Sequence, residues 1–209
     1  MFRPINWRSF PRDFLIIQIG FSLFGLAVAM LIRANLGTNP WTMLSVALSE
    51  MTNLSVGTIT IFTGLAVLGV AIVMREQIGW GTLGNILFIG PWSDLFLWLI
   101  PQQEHWFWQA VMLLGGIALL GVATGIYVSV QAGAGPRDSL MLAVARLTGW
   151  TLRVSRASLE VVVFVIAWAL GGPAGIGTIA IALLIGPAVQ WGFRLLGVEK
   201  KAPPATKPA

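Results

Sequence analysis

The sequence predicts an all-α membrane protein: six transmembrane helices as two inverted three-helix repeats, each with a short re-entrant or amphipathic helix after its first span. Three observations predict it. The 209 residues are 56% hydrophobic and 10% charged, with a mean hydropathy of +0.83, which is more apolar surface than one soluble core hides. The chain also repeats itself at a constant offset of 96 residues, without a gap, from Gly20/Gly116 to Asp94/Gln190. Its matches fall on residues that punctuate backbone: Gly25/Gly121, Gly37/Gly133, Pro40/Pro136, Gly79/Gly175, Gly81/Gly177, Thr82/Thr178, Gly90/Gly186 and Pro91/Pro187. An internal repeat in an apolar chain marks many secondary transporters. Finally, the basic residues gather in alternate connections.

Residues 1–13, with Arg3, Arg8 and Arg12, read as a cytoplasmic basic segment. The apolar run at 14–34 lacks a small-residue cleavage signature and reads as a retained span, not a signal peptide. The next segment, WTMLSVALSEMT at 41–52, is too short and polar to cross roughly 30 Å of hydrocarbon, and so reads as a short helix. Spans at 55–74 and 81–100 complete the first repeat, 14–104. The second, 105–198, has spans at 106–130, 153–171 and 176–196, with RDSLMLAVARLT at 137–148 as its short helix. The polar, Pro-rich stretch at 199–209 reads as a disordered cytoplasmic tail.

Three spans per repeat is odd, so the second copy must run upside down relative to the first. With the N-terminus in the cytoplasm, the inner segments hold Arg3, Arg8, Arg12, Arg75, Arg137, Arg146, Arg153, Arg156, Arg194, Lys200, Lys201 and Lys207, all the Lys and Arg except Arg33. That is the positive-inside pattern of an inner-membrane, multi-pass protein with both termini cytoplasmic. Matched positions differ in the direction that inversion requires: Trp41 against Arg137, Glu50 against Arg146, Gly57 against Arg153. Trp80, Trp98, Trp106, Trp108, Trp168 and Trp191 fall near span ends, where indoles prefer the interface.

Several classes are excluded. Net charge +5 and a pI near 10.8 suit nucleic acid only when basic residues share a face, and here they are scattered between apolar runs, so no nucleic-acid partner is expected. The chain has no cysteine and one histidine, His105, and it carries no HExxH, GxSxG or P-loop pattern. It reads as no enzyme, with no metal and no cofactor.

Four features could carry function. The turns GTNP (Gly37, Thr38, Asn39, Pro40) and GAGP (Gly133, Gly135 and Pro136 within it) each precede a short helix. Glycine permits close backbone approach, and proline suits a first helical turn, leaving N–H groups and a positive dipole end for an anion or carboxylate. A plain capped loop is the alternative. Arg137 follows the second turn directly. The IGP pairs, Gly90–Pro91 and Gly186–Pro187, are expected to kink or break their helices near mid-membrane. Glu160 lies about two turns into its span, where an ionisable side chain needs a cavity or a partner, and Arg156 is placed four residues earlier to pair with it. Asp94, three residues after Pro91, and Asn85 are candidate solute ligands. Gln18 and the Thr58, Thr60, Thr63 stripe suit interhelical hydrogen bonds.

The arrangement LGTNPWTMLSVALSEMTNLSVGTITIFTGL followed by IGWGTLGNILFIGPWSDLFL resembles the bacterial YczE/YyaS/YitT family of small integral membrane proteins. The resemblance covers residues 14–195. Its most specific part pairs a G-x-x-P-W turn with a run that is met here by Gly81, Thr82, Asn85, Gly90 and Asp94; the second copy departs from it with Ile181 and Gln190. The resemblance implies a transporter-like architecture and no particular substrate.

The functional expectation is a small-solute transporter or channel, for an anion or carboxylate, with its site between the repeats. The alternative is a non-transporting accessory or scaffold protein bound to a membrane enzyme or assembly. The lipid bilayer is the one partner common to both, and a homodimer is compatible with either.

Overall fold

A computed structural model describes residues 7–76, 78–133 and 135–197. The expected tail at 199–209 lies outside them, as do the first six residues of the basic segment. The chain forms eight helices and, among the described residues, no sheet: α1 (Phe10–Arg33), α2 (Pro40–Thr52), α3 (Val56–Val73), α4 (Trp80–Leu99), α5 (Trp106–Ser129), α6 (Pro136–Thr148), α7 (Leu152–Ala169) and α8 (Ile176–Leu195). Every boundary in the second set is the first plus 96. Local chemistry repeats with it. Ser55 caps α3 by accepting the Thr58 N–H at 3.1 Å, and its mate Thr151 caps α7 through Val154 at 3.3 Å. The short helices both begin with proline and end in a left-handed residue, Asn53 or Gly149; each terminus thus follows from its own residues.

α1, α3, α5 and α8 are long and apolar enough to cross a membrane by length and composition. α4 and α7, of 20 and 18 residues, have the length but are more polar: α4 carries Asn85, Ser93 and Asp94, and α7 carries Arg153, Arg156 and Glu160. α1 begins at Phe10, inside the stretch expected to precede the first span. Trp98, Trp106 and Trp168 are 81%, 72% and 65% exposed at helix ends, as interfacial indoles would be.

α1 and α5 form the central pair, flanked by α4 on α1 and α8 on α5, while α2 packs on α7 and α6 on α3. Each short helix therefore belongs to one repeat by sequence and packs against the other. Small residues allow these approaches. Gly20 lies against Tyr127 and Gly116 against Leu31; Gly25 lies against Trp92–Ser93 and Gly121 against Ala188–Val189. Each pair of contacts is one contact seen twice under the 96-residue offset.

The same crossing explains the repeated glycines of the turns. The Gly81 N–H donates to the Ala132 carbonyl at 3.0 Å, and the Gly177 N–H to the Leu36 carbonyl at 2.7 Å. Gly37, at φ +98°, has the Gly175 nitrogen 2.6 Å from where a Cβ would stand. Gly133, at φ +132°, has the Gly79 Cα at 2.8 Å. A side chain at either would be strained by its dihedral and blocked by backbone. In both turns the glycines approach the start of a helix in the other repeat.

The expected helix breaks are absent. α4 runs unbroken through Gly90 and Pro91, and α8 through Gly186 and Pro187. A proline removes one N–H donor, and the surrounding turns hold the helix across that single gap. Nor do the threonines bridge helices as a stripe. Thr60 and Thr63 bond back to Val56 and Ile59 of their own helix, and only Thr60 also reaches across, to Ser45 on α2 at 3.2 Å.

Candidate functional site

The polar residues of the bundle converge where the two short helices begin. Pro40 and Pro136 start α2 and α6, so the second residues of the two helices, Trp41 and Arg137, are repeat mates. They meet: the Arg137 guanidinium carbon lies 4.9 Å from the centre of the Trp41 ring, within cation–π range. A guanidinium from the first turn of α6 is thereby laid on an indole from the first turn of α2.

Three other elements close around this contact. Gly135 caps α6, with its would-be Cβ 3.4 Å from Asp138 Oδ2 and 3.8 Å from both Asn85 Nδ2 of α4 and the Tyr127 hydroxyl of α5. The Asp138 carboxylate, in the third helical position, accepts the Gly135 backbone N–H, one half of a capping box, which satisfies one of the free donors of a helix start. From α7, Glu160 lies within electrostatic reach of Arg137 and Arg156 and has the Trp41 indole beside it. Tyr127, among the buried residues of α5, senses Asp138, Arg137 and Arg156.

The cluster holds two guanidinium groups, Arg137 and Arg156, and two carboxylates, Asp138 and Glu160. None of the four closes on another. The one direct salt bridge among the described residues is Arg146–Glu76 at 2.9 Å, between the end of α6 and the α3–α4 turn. The expected Arg156–Glu160 pair is therefore not closed as a salt bridge, although Arg156 and Arg137 both act on Glu160. Charges that balance in sum yet stand apart can each hydrogen-bond a polar guest or water between them.

No solved structure matches the chain. Among curated proteins, it is 33% identical over 190 residues to the uncharacterized membrane protein YczE of Bacillus subtilis, covering 90% of this chain and 86% of that one. It is 30% identical over 190 residues to an uncharacterized protein of Haemophilus influenzae, covering 91% and 87%, and 28% identical over 173 residues to the uncharacterized protein YyaS of Bacillus subtilis, covering 80% and 86%. The family of unknown function DUF6198 matches residues 11–194. The chain belongs to this family. With YczE and YyaS among its relatives, the resemblance drawn from the Gly-Pro turns and the G-x-G-T run is borne out, and this DUF6198 chain is a membrane protein.

The sequence-derived candidates separate into three groups. Arg137, Gly135, Pro136, Asn85 and Glu160 are brought together. Gly37 and Gly133 serve the crossing between repeats; Asn39 caps α2 by accepting the Thr42 N–H at 3.1 Å, and the Thr38 N–H reaches the Pro173 carbonyl at 3.3 Å. Ala134 of GAGP lies outside the described residues. Asp94 is elsewhere: its carboxylate accepts the Gly57 N–H at 2.7 Å and the Ser55 hydroxyl at 2.6 Å, so it caps α3 from α4. Gly90 packs against Gly57 in the same contact.

The cluster also includes Trp41, Tyr127 and Asp138, which were not among the candidates drawn from the sequence. One signal was available: Tyr127 is the only tyrosine of the chain and stands in an apolar span. Three hydroxyls, of Thr38, Ser139 and Ser155, are buried without a protein partner. A separate apolar groove between α1 and α4, lined by Phe10, Phe14, Phe21, Trp80 and Phe88, also includes Gln18, whose Oε1 has no partner.

Proposed function

We propose that this protein is a small-solute transporter or channel of the bacterial inner membrane, with six spans in two inverted repeats, both termini in the cytoplasm and a site at the Arg137–Glu160 cluster. The observation that carries the reading is that Arg137 and Asp138 of α6 and Glu160 of α7, all partly buried, gather near the Trp41 ring at the start of α2 without closing a salt bridge, with Arg156 at their exposed side. Ionisable groups at that depth are costly unless they face one another, water or a solute. The two helix starts and Arg137 favour a small anion or carboxylate. The chain acts without cofactor, as no enzyme, and without nucleic acid.

The test is flux. Proteoliposomes carrying the protein are diluted into isosmotic sodium acetate, sodium lactate or sodium chloride, and entry is followed against empty vesicles. Protein-dependent entry of at least one of these anions is expected, and Glu160→Gln should abolish it or alter its pH dependence while the variant accumulates normally. Wild-type vesicles that are no leakier than empty ones to all three would favour an accessory protein.

Sidedness has its own test, made simple by the absence of native cysteines. Single cysteines at Gln103 and Ala174 should react with an impermeant thiol reagent in intact cells, and those at Arg75 and Gly149 should react only after lysis. Gln103 is half-buried and the other three positions are exposed. Reaction of Arg75→Cys in intact cells would remove the inverted arrangement.

A further inference from the structure

The two repeats differ most where their last two helices meet. In the first, α3 closes on α4. Gly57 lies against the Gly90 carbonyl, the Gly64 position has the Ile86 Cγ1 at 3.1 Å, and Asp94 holds the N-terminus of α3. Gly57, Ile86 and Gly90 are buried.

In the second repeat Gly186 keeps the glycine of Gly90, but the other partners have changed. Arg153 stands for Gly57 and Glu160 for Gly64 on α7; Ala182 stands for Ile86 and Gln190 for Asp94 on α8. α7 is not packed along α8. A Cβ on Gly186 would find nothing within 4 Å, and Arg153, Ala182, Gly186 and Gln190 are exposed. The face that makes a helix contact in one repeat is thus uncovered in the other, and the gap left between α7 and α8, a cleft in that sense, has a guanidinium near one end and a carboxylate two turns further along α7. Hydrocarbon cannot fill such a cleft cheaply, and charged side chains in place of Gly57 and Gly64 prevent the close packing that small residues allow. At its inner end, Glu160 reaches Trp41 and Arg137 of the cluster.

We propose that the α7–α8 cleft is a water-filled vestibule, open at the Arg153–Gln190 end, that admits a polar solute to the cluster, and that the α3–α4 seam latched by Asp94 is its closed counterpart on the other side. The proposal rests on the transport reading and supplies its route. In the proposed topology the vestibule opens to the cytoplasm, so the described conformation is inward-open.

Single cysteines at Ala182 and Gly186, in the cleft, and at Ile61, in the closed seam, are tested with a charged maleimide in inside-out membrane vesicles, with Gly149→Cys as the exposed reference. Ala182→Cys and Gly186→Cys should label as fully as the reference, and Ile61→Cys should stay protected. Ile61→Cys combined with Asp94→Ala should lose its protection towards reagent added from the outer side, whereas Asp94→Asn, which keeps an oxygen to accept the Gly57 N–H, should retain most of it.

Reaction of the two cleft cysteines only with a lipophilic, uncharged maleimide would overturn the vestibule, because the cleft would then face lipid. Disulfide-linked dimers through Gly186→Cys would overturn it too, because a second copy would then fill the cleft. Labelling as expected without flux of any tested anion sustains the vestibule and removes transport. Protected cleft cysteines beside Glu160-dependent flux remove the vestibule and leave transport standing.

Discussion

Gly90→Ala should destabilise the protein while its repeat mate Gly186→Ala leaves it unchanged or slightly more stable, although each adds one methyl group at the same position of the same unit. At Gly90 the new Cβ would collide with the Gly57 carbonyl and stand 3.1 Å from Ile61 Cγ1. The first obstacle is backbone, so relief requires α3 to move and the Asp94 bonds to Ser55 and Gly57 to stretch. Overpacking of this kind costs about 1–3 kcal/mol. At Gly186 there is no neighbour to meet, and an alanine in an open helical position is favoured over glycine by about 1 kcal/mol. Together these imply a gap on the order of 10 °C between the two variants' unfolding midpoints in detergent, at the usual few degrees per kcal/mol for a chain of this size. Equal shifts would mean that α7 and α8 close on one another as α3 and α4 do.

The same contrast shows why the architecture was largely legible in the sequence. The offset of 96 residues fixes every helix boundary twice over, because each terminus depends on nearby residues: the prolines at 40 and 136, the capping hydroxyls at 55 and 151, the left-handed ends at 53 and 149. Those signals are local. The partners of the repeated glycines are not: Gly37 touches Gly175, and Gly133 touches Gly79, so a glycine needed for backbone contact between repeats looks, in one dimension, like a glycine needed by a ligand. Proline misleads for the opposite reason, since its local rule predicts a break while neighbouring turns carry α4 and α8 past it.

The site was legible where a residue is costly by itself. Glu160 and Arg137 stand out because charge at membrane depth demands a reason, whereas Trp41 and Tyr127 are ordinary in an apolar chain until the crossing of the repeats sets them beside those charges. Asp94 shows the limit of that logic. Its carboxylate is equally costly in isolation, yet the start of α3 satisfies it fully enough to make it a latch.

Removing Arg137 tests whether the cluster is balanced by charge and used for passage. In Arg137→Met the thioether can still lie on the Trp41 ring, but Glu160 loses one of the two cations within its reach. Leaving one partner of a fully buried ion set uncompensated typically costs about 3–5 kcal/mol; this set is partly exposed, so a smaller loss is expected, still a sizeable part of the total stability of many domains, and the variant should accumulate below wild type. Adding Glu160→Gln removes the orphaned charge while keeping an oxygen for the Trp41 indole. The double variant should therefore recover most of the wild-type protein level and thermal midpoint. Recovery of the fold should not bring recovery of flux, because the guanidinium that would meet the anion and the carboxylate lining its route are both gone. Membrane levels by immunoblot and acetate entry into proteoliposomes separate the two effects. If the double variant stays as depleted as Arg137→Met, the guanidinium is needed for packing on Trp41 and not for charge balance; if it is restored and still conducts, the solute does not pass by the Arg137–Glu160 cluster.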